Sequence, residues 1–282
     1  MRVTALYSYT VKGAAGIAHE AADVGPAGLA GDRQFLVTDT DGVYRTQRAD
    51  PRLALIRPAW ADDGVLALAA PDVEPIAVSV DRAGPRRPIV LFKHHLTGID
   101  QGDAVAEWVS AVLGRPSRLV AAPPEHDRVT DGAIPGTAGY ADSSAVHLIA
   151  EESLADLNAR LDAPLPMARF RPNIVVAGAP AYAEDALRRL RVGDVELGWT
   201  KLAARCAVTL VDPATGRRAG PEPLRAFARY RRDPTGGVVF GTKFAVLRSG
   251  RVRVGDPVSG AAASPATAAP AASPPATPAA AG

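Results

Sequence analysis

Short apolar runs broken by turn-forming residues constrain this chain more than any other feature. "QFLVTDTDGVYRTQ" is two such runs around Asp41-Gly42, a dipeptide that closes two-residue hairpins because both central positions tolerate positive φ. "LALIRPAW", "VLALAA", "IAVSV" and "IVLFK" follow as further short runs. Together with the loosely alternating "RVTALYSYTV", they predict a compact, strand-rich first half. The chain reads as mainly β, a β-rich α+β fold with a few helices.

One clear helix interrupts the strands. In "GDAVAEWVSAVLGR", Val105, Trp108, Val109, Val112 and Leu113 form an i, i+3, i+4, i+7, i+8 stripe, with Asp103 placed to cap its start and Gly114 to end it. The Pro- and charge-rich "AAPPEHDRVTDGAIPG" then predicts a boundary, giving a first domain over 1–120 and a second over 121–258. In the second half, "EESLADLNARL" places Leu154, Leu157 and Leu161 on one helical face, with two glutamates in the first turn where the helix dipole favours them. Strands are expected at "NIVVAG", "LRVGDVELGW", "CAVTLVDP", "VVFGTKFAVL" and "GRVRVGD", with a short helix near "EPLRAFARYRR". Residues 259–282 are Ala, Pro, Ser, Thr and Gly without charge or large apolar side chains, and predict a disordered tail.

With 32 Lys plus Arg against 30 Asp plus Glu, the net charge of +2 supports neither a nucleic-acid nor a membrane surface. A single cysteine excludes an intrachain disulfide and any thiolate-held cluster or four-cysteine zinc site. No apolar segment approaches the roughly 20 residues of a membrane span. A reducing, cytoplasmic setting is expected. The five histidines show no metal-ligand spacing, and there is no GxSxG, Walker loop or GxGxxG after a strand, which argues against a serine hydrolase, an ATPase and a Rossmann dehydrogenase.

The candidate chemistry centres on that one thiol. A cysteine in an apolar strand is more often a small buried hydrophobe than a reagent, but Lys201, Arg205, Arg217 and Arg218 make the surroundings of Cys206 basic. A thiolate in such a setting can bind a soft metal. In "MARFRPNIVV", Arg169 and Arg171 share a face if the segment is extended; either an anion bridges them or both are solvated. Lys12 and Arg33 stand beside glycines that would let backbone approach a ligand, although such turns are common. Asp142, Ser143 and Ser144 precede a strand-to-helix passage, a setting for anion contacts or simply for a turn.

Read in order, "LYSYTVKGAAGI", "GLAGDRQFLVTDTDG", "YRTQRADPRLALI", "ADSSAVHLIAEESLADLNARL", "FRPNIVVAG", "YAEDALRRLRVGDVEL", "RCAVTLVDPATG" and "RVGDPV" resemble the MOSC proteins with an N-terminal MOSC β-barrel domain. That family includes the mitochondrial amidoxime-reducing component and the C-terminal part of molybdenum cofactor sulfurases. The resemblance runs from residue 1 to about 258. It implies two barrel-like modules with a molybdenum cofactor, Mo-molybdopterin, between them.

By position, Cys206 of the "RC" pair becomes the metal ligand, and Lys12, Arg33 and Arg171 meet the pterin phosphate. Ser143 and Ser144 match hydroxyls that line the cofactor. Asp142 matches a carboxylate near the metal that could shuttle protons, and Arg48 lies in a "TQR" stretch like the family's TxR segment. Three positions depart from the pattern: Gly13-Ala14 replaces a serine-containing turn, Ala204 stands where a polar residue often precedes "RC", and Lys243 occupies a place more usually Asn or Tyr. Lys243 would add a phosphate-seeking charge.

The implied activity is reduction of N-hydroxylated compounds, amidoximes or hydroxylamines. One cysteine cannot hold a cluster and no flavin or NAD motif is visible, so electrons are expected from a separate ferredoxin or flavin reductase. The alternative is a non-catalytic carrier of molybdenum cofactor, or of sulfur on Cys206. A third reading, a degenerate barrel with Cys206 merely buried, implies no molybdenum.

Overall fold

The computed structural model describes residues 1–60 and 64–262. Strand is the main regular structure, arranged in curled half-barrel sheets. The largest sheet has eight strands in the order Ile17–His19, Arg2–Ser8, Ile174–Ala177, Val146–Ala150, Val239–Arg248, Val195–Ala204, Leu187–Val192 and Val258–Ala262. Its only parallel pair among the described residues, Val146–Ala150 beside Ile174–Ala177, is joined through a helix, α2 (Glu151–Asn158), as a parallel connection requires. Val146–Ala150 is buried along its whole length, which is why its apolar run does not alternate.

The second sheet orders Phe35–Thr38, Arg118–Ala121, His94–Asp100 and Arg86–Leu91. A helix, here α1 (Asp103–Leu113), packs its Val105, Trp108, Val109 and Val112 stripe against that sheet and the strands around Leu66 and Leu68. Each such side chain removed from water contributes on the order of 1.5–3 kcal/mol. Trp108 keeps its indole N–H satisfied by donating to the Glu74 carbonyl at 2.6 Å. Asp103 does not cap α1. Gly102 holds the N-cap position without a side-chain bond, and Asp103 accepts instead from Arg118 at 2.8 Å.

Strands Arg2–Ser8 and Ile17–His19 belong to the sheet otherwise built from residues 146–262, because Arg2–Ser8 pairs antiparallel with Ile174–Ala177. A division near residue 120 therefore leaves two strands of the second sheet's neighbour on its far side in sequence. Between these two strands the segment carrying Tyr9 and Lys12 reaches the second sheet, where Val11 bridges Phe35, and then returns. The strand Val258–Ala262, paired with Leu187–Val192, extends ordered chain into the stretch expected to be tail. The remainder of that expected tail, 263–282, lies outside the described residues.

Two further expectations change in ways that shape the site. The Asp41-Gly42 turn forms, with Gly42 at φ 84° and Asp39 Oδ1 accepting from the Asp41 and Val43 amides. Its return arm leaves the sheet after the Thr38–Tyr44 bridge and carries Tyr44 to Arg48 towards the centre of the molecule. Similarly, Cys206 is not in a strand. Val195–Ala204 ends first, and the Thr209 hydroxyl and amide both donate to the Cys206 carbonyl, closing a 3-10 turn over Ala207–Leu210. Among the described residues no helix is long and apolar enough to cross a membrane.

Candidate functional site

Where the two halves meet, a cleft encloses about 930 Å³, open solvent at its mouth included. Cys206 lines it and is exposed, so the buried-hydrophobe reading of this thiol fails. Its neighbour is Arg48, brought by the return arm of the Asp41-Gly42 turn, which points a guanidinium N–H at Sγ across 3.6 Å and donates with its other nitrogen to the Tyr44 hydroxyl. Residues 158 apart in sequence are thus paired by topology alone.

Lys12, Arg33 and Arg171 converge on the same space. The ring of Tyr9 lies between two of these cations, with the Arg33 guanidinium carbon 4.4 Å and that of Arg171 4.1 Å from its centroid. Tyr9 donates its hydroxyl proton to the Pro172 carbonyl, and burial pushes the phenol up to about 12, so it stays neutral. Stacking on one face of an aromatic ring orients each guanidinium while leaving donors free. Arg33 spends one nitrogen on Asp32 and Asn173, and Arg171 donates to the Ala14 carbonyl. Both arginines adopt left-handed backbone conformations, φ 48° and 56°, strained for residues other than glycine and held by these bonds.

Arg169 and Arg171 do not share an extended face. Met167–Arg169 is a 3-10 turn and the left-handed Arg171 follows, so the two side chains leave in different directions. Asp142 ion-pairs with Lys12. Burial alone would raise its carboxyl, but the charges of Lys12, Lys243 and Arg33 outweigh that and hold it well below the usual carboxylate range. Solvent in the cleft still reaches more than half of the Asp142 side chain, which screens part of this field. Ser144 is buried and bonded to Thr200 at 2.9 Å. Ser143 accepts from Lys243 Nζ at 2.7 Å and acts on the cleft through that ammonium.

Two more residues line the cleft: His147, which the sequence did not single out, and Arg205, expected only as part of the basic surroundings of Cys206. His147, one of the scattered histidines, is buried beside Arg205, and burial together with the Arg205 charge drives its imidazole well below the ordinary value, so it is neutral. Arg205 donates to the Phe170 carbonyl at 2.8 Å and faces His147 Nε2 at 3.4 Å, while its own buried Nε has no partner. In total seven Lys and Arg side chains and one carboxylate line the cleft. Burial lowers Arg205 and Arg171 to about 10 and Lys243 to about 8. Such a cluster carries positive charge that protein groups do not neutralise, as a site for an anion should.

This charge has a measurable consequence. The folded-state value of Lys243, about 8, lies below its ordinary 10.5, so the unfolded chain holds that proton more tightly. The resulting penalty on folding is present below pH 8 and is relieved as pH rises towards 10.5. Lys243→Met should therefore stabilise the ligand-free protein more at about pH 7 than at about pH 9.5 in denaturant titrations. An equal effect at both pH values would contradict the burial of an unmatched charge.

Among the described residues no three His, Cys, Asp or Glu side chains are grouped to hold a metal. What the cleft offers is one exposed thiol, able to give a metal a single soft ligand, beside cations able to meet an anion. The thiol is that of Cys206, and the cations include Lys12, Arg33 and Arg171.

Residues 1–116 match the MOSC N-terminal beta barrel domain and residues 135–259 the MOSC domain, which makes this a double-module MOSC protein. The chain belongs to the family that contains the mitochondrial amidoxime-reducing components. It is 36% identical over 278 residues to component 2 of Rattus norvegicus, covering 91% of this chain and 82% of the relative. Component 1 of Homo sapiens is 34% identical over 276 residues, with the same coverage of each chain. Component 1 of Danio rerio is 34% identical over 275 residues, with 91% and 83% covered.

Proposed function

We propose that the cleft binds a molybdenum cofactor and that the protein reduces N-hydroxylated compounds with electrons from a separate donor protein. The observation that carries this reading is an exposed thiol in the same cleft as three oriented, under-neutralised cations. Names of relatives that share over four-fifths of their length with this chain support the reaction class.

When bound, the cofactor would supply a two-electron redox centre for reduction of an N–OH group. Overall, an N-hydroxylated substrate, two electrons and two protons give the reduced nitrogen compound and water. Lys12, Arg33 and Arg171 hold the phosphate, Cys206 Sγ ligates the metal, and Arg48 steadies Sγ from the other half of the chain. Arg205 and His147 line the cleft as a cation and a neutral imidazole, tied to the Phe170 and Arg171 carbonyls respectively.

Asp142, expected to shuttle protons, is better assigned as the counter-ion of Lys12 and Lys243. A carboxylate held ionised so far below neutrality is a weak proton donor. Lys243 Nζ, lowered by burial to about 8, is a candidate for exchanging a proton near neutral pH.

The test is molybdenum and pterin content of protein made in a host that synthesises the cofactor, followed by reduction of an aromatic amidoxime with a chemical electron donor. Near-stoichiometric metal with turnover is expected. Metal and pterin without turnover by any donor would favour the carrier reading, and absence of both would sink the proposal. Lys12→Gln is expected to lower bound pterin about tenfold at limiting cofactor, through loss of a charge-assisted bond to phosphate. Unchanged pterin content would remove Lys12 from the phosphate site.

A further inference from the structure

Behind the cleft, beyond Tyr9 and Arg171, lies a second cavity of about 190 Å³. An apolar cavity of about 150 Å³ is already large enough to take up benzene, so a single aromatic ring fits here. Its walls are largely apolar or aromatic, with Tyr7, Tyr9, Met167, Val211 and Pro213 prominent. Arg169 also lines it, although its residue is only 7% exposed.

The bonding of Arg169 is incomplete. One nitrogen reaches the Thr209 carbonyl at a long 3.4 Å, and its buried Nε has no partner. Among the described residues no carboxylate stands within ion-pair distance of it, and Asp212 acts on it only through its field. Burial pulls the guanidinium below its ordinary value, the sign of a charge without a counter-ion. Arg171 borders the cavity too, but is already committed to the Ala14 carbonyl and the Tyr9 ring.

We propose that this cavity is a second binding site, separate from the cleft, for a small organic carboxylate: its oxyanion meets Arg169 and its apolar body lies among Tyr7, Tyr9, Met167 and Val211. A monoanion matches the single uncommitted guanidinium, whereas a phosphate dianion would need a second. The walls favour a planar hydrocarbon body over a hydrated ion. The site does not depend on whether the cleft holds molybdenum.

Titration of the full-length chain with 4-fluorobenzoate, followed by fluorine NMR, tests this directly. Saturable binding is expected in the wild type, weakened about tenfold or more in Arg169→Met by loss of a charged hydrogen bond. Because a buried arginine can be needed for folding, Ala168→Trp provides the second variant. Ala168 is exposed and borders the cavity, so a large ring there plugs the mouth without entering the core, and the same weakening is expected. Lys243→Met, which alters the cleft alone, should bind 4-fluorobenzoate as the wild type does. Wild-type affinity in both Arg169→Met and Ala168→Trp, or loss of binding in Lys243→Met, would overturn the assignment. Displacement by an equal concentration of inorganic phosphate would overturn the choice of carboxylate.

Discussion

Cys206→Ala is expected to yield a folded protein that retains no molybdenum. The sulfur is exposed at the end of a strand and supports no core packing, so its removal should change stability by no more than about 0.5 kcal/mol. Its one side-chain contact is the long bond from Arg48, which can turn to solvent. By contrast, the described residues offer no cluster of His, Cys, Asp or Glu to replace it as a ligand. Metal content by elemental analysis should fall to background, and N-reductive turnover with it. Pterin should fall less, because Lys12, Arg33 and Arg171 remain to hold the phosphate. A variant that keeps its molybdenum would show that the thiol is not the ligand and that the cations alone retain the cofactor.

Phe240→Ala should cost the most stability of any single change discussed here, about 3–5 kcal/mol. Phe240 is fully buried and packs against three rings, with centroids of Phe170 at 4.6 Å, Phe227 at 5.0 Å and Tyr182 at 6.5 Å. Removing it leaves a cavity among side chains from a strand, a 3-10 turn and α3 (Leu224–Tyr230), which cannot all close in. At roughly 2–4 °C per kcal/mol for a chain of this size, the melting temperature should drop by about 6–20 °C. The effect should reach the site as well, since Phe170 presents its carbonyl to Arg205 and its ring lies 5.8 Å from that guanidinium. A loss below about 1 kcal/mol would mean that this aromatic cluster repacks freely.

Cys206, Lys12, Arg33 and Arg171, singled out in the bare sequence by the family resemblance, line one cleft together with Lys243, which departs from that pattern, although the chain scatters them over more than 230 residues. The motifs could carry that information because each is local: a short string of residues keeps its identity whatever surrounds it. Tyr9, Arg205 and His147 sit in equally ordinary strings, but their importance comes from what lies opposite them. No spacing rule relates Tyr9 to Arg171, or Arg48 to Cys206.

Periodicity sufficed for the strand-rich class, the helix over 103–113 and the helix beginning at Glu151, because burial of one face imposes its period on any amphipathic element. Only the tertiary structure decided that Arg2–Ser8 pairs with Ile174–Ala177, that the run containing Cys206 turns out of its strand, and that Asp142 is held ionised. Sheet partners are chosen by edges far apart in sequence, and a charge is tuned by every group that faces it. Both are sums over neighbours that the linear order of the chain does not contain.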